Sequence, residues 1–127
     1  MTFWLDAEQV MHMHASLLDL YGGEEGGGHR GAAYQGVDAA VQAVKNSYRE
    51  SLVELAASYA VYIVQGHVFM DGNKRAGSAA MLVFLEANGH ETRLSGKRLV
   101  DAMLLLQKRA ETGASTDALI DWLAGLL

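Results

Sequence analysis

The sequence predicts an all-α fold of about six helices, and three observations support this. The 127 residues include no proline, so no residue forces a helix to break or kink. The 14 glycines cluster between apolar stretches, where helices commonly end. No long stretch alternates apolar and polar residues as a half-buried strand would. The length is that of one ordinary domain, so we expect a single domain over residues 1–127.

The first two helices are separated by a glycine-rich stretch. Asp6 and Gln9 have the spacing of a capping box, which predicts a helix that starts after Asp6 and ends at Gly22. Glycine fills six of the ten positions 22–31, which we interpret as a flexible loop. A weaker apolar pattern indicates a second helix from Val37 to about Ser47.

The third and fourth helices form the predicted centre of the fold. Ser51 and Glu54 suggest a second capping box, and the residues from Leu52 to Val64 are apolar almost all round, as in a buried helix. After Gly66 and a short connection, the fourth helix is predicted from about Asn73 to Ala87. Its predicted packing residues are Ala79, Ala80, Leu82, Val83 and Leu85.

Two further helices complete the prediction. Ser95 is the expected cap of the fifth, whose apolar positions are Leu99, Val100, Met103, Leu104 and Leu106. The sixth starts at Thr116, with an apolar side made of Leu119, Ile120, Leu123, Leu126 and Leu127.

Composition excludes several classes of function. Ten basic against 15 acidic residues give a formal charge of -5, which argues against a broad nucleic-acid-binding surface. The absence of cysteine rules out a disulfide framework, a thiolate zinc site and a cysteine nucleophile. No apolar run approaches the roughly 20 residues that a membrane-spanning helix needs. We therefore expect a cytoplasmic protein with no membrane or direct nucleic-acid partner.

Residues 67–75, HVFMDGNKR, carry groups suited to phosphate chemistry. The N-terminus of a helix leaves backbone N–H groups unpaired and binds anions. Gly72 lets an anion approach the backbone, and Asn73 adds an amide donor. Lys74 and Arg75 supply positive charge.

Three other residues of this segment have a predicted role. Asp71 offers a hard oxygen ligand for Mg²⁺, although a lone Asp at this position is more often a helix cap. His67 can accept a proton near neutral pH. Phe69 is expected to pack in the core.

The segment resembles the signature of the Fic/Doc family, His-x-Phe-x-(Asp/Glu)-(Gly/Ala)-Asn-(Gly/Lys)-Arg. The resemblance extends to WLDAEQVMHMHASLLDLYGG, which is similar to the opening helix of the family. It also covers LVELAASYAVYIVQGHVFMDGNKRAGSAAMLVFLEANGHE, which is similar to its central helices and motif loop. Lys74, where many Fic enzymes have glycine, makes the chain more similar to the Doc, or "death on curing", toxin branch.

The resemblance implies a protein kinase that moves the γ-phosphate of ATP to a threonine of elongation factor Tu and so stops translation. It also implies a Phd-like antitoxin as partner, because the chain lacks the (Ser/Thr)-x-x-x-Glu-(Gly/Asn) pattern of self-inhibited Fic proteins. The roles carried over to this sequence are general base (His67), Mg²⁺ ligand (Asp71), loop anchor (Phe69) and phosphate binding (Gly72, Asn73, Lys74 and Arg75).

Alternatives remain open at this stage. The same fold and base would serve an AMP transferase, and a non-catalytic helical module could use the motif to bind a nucleotide or partner. The glycine-rich stretch 22–31 could be a substrate-binding flap, in which Arg30 contacts the target or a phosphate, or a plain linker. It departs from the Arg-Asp often found there in the family. Its GxGxxG spacing follows no strand, so we interpret it as coincidence rather than a dinucleotide site.

Overall fold

The structure is a computed structural model that describes residues 1–22 and 30–127, with the side chains of residues 30–32 left aside. Within these ranges the chain forms six α-helices and no strand, which confirms the predicted fold class. No helix among them is long and apolar enough to cross a membrane. Their bounds are α1 Ala7–Tyr21, α2 Arg30–Lys45, α3 Leu52–Gln65, α4 Asn73–Ala87, α5 Gly96–Glu111 and α6 Thr116–Ala124.

The buried helix α3 is the centre of the fold, and α4 makes the most extensive contact with it. The two helices approach closely at Gly77. A Cβ atom at that position would lie 3.2 Å from Cγ2 of Val64 and 3.3 Å from the carbonyl oxygen of Ala60. Helix α4 also packs on α1, so the end of α1 and the start of α4 are held on a common frame.

Two polar contacts attach the N-terminal segment to this frame. Asn88, which caps the C-terminus of α4, accepts a hydrogen bond from the Phe3 N–H (2.8 Å) and donates one to the Phe3 carbonyl (2.9 Å). The hydroxyl of the buried Tyr59 accepts a hydrogen bond from the Leu5 N–H (3.1 Å). The segment before α1 is therefore fixed to both central helices.

A buried arginine connects the α2–α3 turn to α6. The Arg49 guanidinium lies 2.8 Å from carboxylate oxygens of Glu54 and Asp121, and 3.1 Å from Asp117. Burial alone would lower the pKa of Arg49, but hydrogen bonds to Asp121 and Asp117 outweigh it and raise the pKa above its usual value. Arg49 therefore stays charged and joins the two parts of the fold.

The second helix is longer at its start than predicted. Helix α2 begins at Arg30 rather than Val37 and ends at Lys45 rather than near Ser47. Glycine lowers helix propensity, but Gly36 packs so close to Val68 that a Cβ atom would lie 3.3 Å from Cγ1 of Val68. Tertiary packing thus overrides the weak local preference.

The predicted capping box at the start of α3 is wrong, whereas the box formed by Asp6 and Gln9 at α1 is confirmed. Ser51 is the N-cap residue but its side chain makes no capping hydrogen bond. Glu54 instead accepts a hydrogen bond from the side chain of Arg49, which lies in the turn just before the helix. Ser95 is likewise at the N-cap of α5 without a side-chain bond.

Three predicted packing residues are exposed. Val83, Val100 and Leu104 have exposed fractions of 38%, 57% and 52%. Helix α4 buries the face that carries Ala76, Ala80 and Phe84 instead. Helix α5 buries a narrow face, so its apolar residues do not all fit against the core.

Candidate active site

The loop between α3 and α4 takes its shape from two residues with a left-handed backbone. His67 follows the end of α3 with φ of 46°, a conformation that non-glycine residues seldom adopt. Gly72 has φ of 81° and is the N-cap of α4. The chain thus turns sharply at both ends of the loop, and the His67 side chain is exposed.

Phe69 and Asn73 fix the middle of the loop. Phe69 is buried, as predicted. The Asn73 side-chain amide makes two hydrogen bonds to the Phe69 backbone. Its Oδ1 accepts one from the Phe69 N–H (3.0 Å), and its Nδ2 donates one to the Phe69 carbonyl (2.8 Å). The Asn73 side chain is therefore committed to the loop, which leaves its backbone N–H and its second amide N–H for a ligand.

His14 is the residue near this site that sequence reasoning missed. Its ring stacks on Phe69 with centroids 3.6 Å apart and planes within 6° of parallel. Its Nε2 atom lies 2.7 Å from the Asp71 carbonyl oxygen. A signal was present, since His14 follows Val10 by four residues on a helix and shares its buried face.

The first turn of α4 borders a cleft of about 290 Å³ at the end of α1. The N-cap Gly72 has no side chain, and no side chain in the described part of the chain caps the N–H groups of this turn, which suits them to an anion. The Arg75 guanidinium lies over the Tyr21 ring, 5.1 Å from its centroid. The lining residues are Tyr21, Gly22, Asp71, Gly72, Asn73, Lys74 and Arg75.

Helix α5 contributes to this site through Gln107. The Lys74 ammonium donates a hydrogen bond to Oε1 of Gln107 (2.5 Å), whose Nε2 donates in turn to Glu111 (2.9 Å). The Lys74 side chain is thus held at one edge of the cleft, and its flexible stem is restrained.

Asp71, which also lines the cleft, presents an exposed carboxylate. Oδ1 accepts a hydrogen bond from the Gly72 N–H (2.7 Å), and within residues 1–22 and 30–127 the second oxygen has no such bond. Among the described residues, no three His, Asp or Glu side chains group together as a metal site. A single carboxylate with phosphate oxygens and water is a common way for proteins to hold Mg²⁺, so Asp71 fits that ion.

The structure brings five of the predicted site residues together, namely Asp71, Gly72, Asn73, Lys74 and Arg75. His67 and Phe69 do not line this cleft. Both belong to the loop before α4, where His67 is exposed and Phe69 is buried in the core. The glycine-rich residues 23–29 fall outside the described residues, and so does the side chain of Arg30, for which a flap contact was predicted. Residues 30 and 31, predicted as the end of that loop, belong to α2.

Comparisons with known proteins agree with the motif. The Fic/DOC family matches residues 4–85, a range that contains every lining residue of the cleft. The chain is also 34% identical over 87 residues to "Protein kinase doc" of Escherichia phage P1, covering 67% of this chain and 68% of that protein.

Proposed function

The chain belongs to the Fic/Doc family, on its Doc branch, and on that premise we propose that it is a toxin that acts as a protein kinase. It would transfer the γ-phosphate of ATP to a hydroxyl of a protein substrate. The observation that carries the proposal is the cleft at the start of α4, where free backbone N–H groups, two cationic side chains and a carboxylate meet.

Phosphate binding is the role that this arrangement supports best. The positive end of the α4 dipole and the N–H groups of its first turn favour phosphate oxygens. Lys74 and Arg75 add charge, and their contacts with Gln107 and Tyr21 restrain them before a nucleotide arrives. Such pre-positioned charge is most of what phosphoryl transfer requires from a protein.

Mg²⁺ is proposed as the metal partner of ATP, with Asp71 as its ligand from the protein. When bound, the ion would neutralise charge on the phosphate oxygens. The hydrogen bond from the Gly72 N–H to Oδ1 orients the carboxylate and leaves its other oxygen for the ion. Because the described residues that line the cleft supply one carboxylate, we expect affinity for Mg²⁺ to depend strongly on the nucleotide.

His67 is proposed as the general base. It would accept the proton of the attacking hydroxyl on a ring nitrogen as the oxygen forms a bond to the γ-phosphorus. The bond from that phosphorus to the bridging oxygen breaks, and ADP leaves with the electron pair. The exposure of His67 suits this role, because a hydroxyl on another protein can reach it.

Lys74 supports phosphate transfer over AMP transfer. In the family resemblance, lysine at this position accompanies Doc proteins and glycine accompanies AMP transferases. The Lys74 ammonium, held by Gln107, occupies space at the edge of the cleft that a glycine would leave open. The orientation of ATP against the helix terminus should therefore differ between the two classes.

The proposed target is a threonine of elongation factor Tu, and the proposed inhibitor is a Phd-like antitoxin in the cytoplasm. Both proposals rest on the resemblance to Doc. The similarity to the phage P1 protein named "Protein kinase doc" supports that resemblance.

The test of this proposal uses ATP labelled at either the γ- or the α-phosphate, with Mg²⁺ and a bacterial extract. We expect protein labelling from γ-labelled ATP alone, lost with His67→Ala. Labelling from α-labelled ATP would instead establish an AMP transferase. Labelling by neither, with nucleotide still bound, would indicate a non-catalytic module and overturn the proposal.

A further inference from the structure

We propose that His14 is a positioning residue that sets the Asp71–Gly72 peptide and, through it, the Asp71 carboxylate. This inference deepens the proposed function and rests on it for its kinetic consequence. His14 lies on α1, outside the motif, and is buried with 6% exposure. A buried polar ring of this kind needs a partner, and its partner here is the motif loop.

The ring of His14 contacts three residues of the loop. It stacks on Phe69, and its Nε2 lies 2.7 Å from the Asp71 carbonyl oxygen. Because a carbonyl oxygen only accepts, Nε2 must carry the hydrogen. A Cβ atom at Gly72 would lie 3.3 Å from the same nitrogen, so ring and loop backbone are in close contact.

One peptide unit connects His14 to the carboxylate. The Asp71 carbonyl and the Gly72 N–H belong to the same planar unit, so the direction of one fixes the direction of the other. His14 holds the carbonyl end, and Oδ1 of Asp71 accepts the hydrogen bond from the N–H end at 2.7 Å. Loss of the His14 bond would free this plane to rotate and carry the carboxylate with it.

The kinetic test compares three variants in the labelling reaction at varied Mg²⁺ concentration. His14→Phe keeps an aromatic ring on Phe69 but has no donor, and we expect it to need about 10-fold to 100-fold more Mg²⁺ for half-maximal rate. His14→Gln places an amide donor near the same point and should restore most of the affinity. His12→Gln, an exposed neighbour on the same helix, is the matched control and should behave as wild type.

This readout separates positioning from a purely structural role. A smaller folded fraction would lower kcat but leave the Mg²⁺ dependence unchanged. A His14→Phe variant that folds and keeps the wild-type Mg²⁺ dependence would overturn the inference, even if its kcat fell.

Nuclear magnetic resonance tests the contact without any reaction, so failure of the inference is distinguishable from failure of the proposed function. In the wild-type chain, ¹⁵N spectra should show His14 with its proton on Nε2. The Gly72 amide resonance should shift in His14→Phe and remain near its wild-type position in His12→Gln. A proton on Nδ1 instead, or an unmoved Gly72 resonance, would overturn the inference whether or not the protein is a kinase.

Discussion

Replacing Asn73 by alanine should weaken both the fold and nucleotide binding. The Asn73 amide makes two hydrogen bonds to the Phe69 backbone, at 3.0 Å and 2.8 Å, and these close the loop that precedes α4. Without them, the N–H and carbonyl of Phe69 lose their partners in a partly buried environment. The loop that places Asp71 at the edge of the cleft would then be free to open.

The expected loss follows from those two bonds. At about 0.5–1.5 kcal/mol each, the free energy of unfolding should fall by about 1–3 kcal/mol. An unfolding entropy of about 2.1 cal/mol/K per residue means that each kcal/mol lowers the Tm of a chain this long by about 4 °C. The Tm of Asn73→Ala should therefore lie about 4–11 °C below that of wild type.

Asn88→Ala is the matched control for this prediction. Asn88 makes the same pair of bonds to the Phe3 backbone at the opposite end of α4, and a third to the Phe84 carbonyl (2.8 Å). Thermal unfolding should show a loss of Tm for both variants, at least as large for Asn88→Ala. Calorimetric titration with Mg²⁺–ATP should show weaker binding for Asn73→Ala alone. Wild-type Tm and wild-type affinity in Asn73→Ala, or equal losses of affinity in both variants, would refute the reasoning.

Three further predictions follow from the described contacts. Gly77→Ala should lower the free energy of unfolding by about 1 kcal/mol in urea, because two of the atoms it would crowd belong to the Ala60 backbone and cannot rotate away. Unchanged or higher stability would show that α3 and α4 can separate. The free energy of unfolding should be up to about 1 kcal/mol higher for His67→Gly than for His67→Ala, because glycine adopts the left-handed backbone without strain. Both variants should lose phosphate transfer. Equal stabilities would contradict that strain. Burial raises the pKa of Tyr59, and the bond from the Leu5 N–H only partly offsets this. The folded state thus holds the proton more tightly, so stability should fall as pH rises above about 10, and less so in Tyr59→Phe. Identical pH slopes in urea unfolding would contradict this.

The sequence predicted the elements whose signals are local. The bounds of α4, Asn73–Ala87, are as predicted, because a glycine precedes it and an Asn-Gly turn follows it. The capping box at Asp6 was also local and is confirmed. The five motif residues that line the cleft are consecutive in the sequence. They are therefore close together once α4 starts at Asn73.

Contacts between distant parts of the chain escaped prediction. Glu54 pairs with the buried, charged Arg49 instead of capping α3. Arg49 is held in place by two carboxylates of α6, which are distant along the chain. His14 and Gln107 reach the site from α1 and α5, and no pattern within either helix identifies the partner. The apolar pattern indicated a start of α2 at Val37, and the earlier start involves the close packing of Gly36 on Val68, which is distant along the chain.

The central claim, transfer of a phosphate to a protein hydroxyl with His67 as base, is tested most directly by mass. Elongation factor Tu would be incubated with this protein, ATP and Mg²⁺, and its intact mass measured, with His67→Ala as the control. We expect a gain of about 80 daltons, one phosphate, that is absent in the control. A gain of about 329 daltons, one AMP, or a gain of phosphate that persists with His67→Ala, would contradict it.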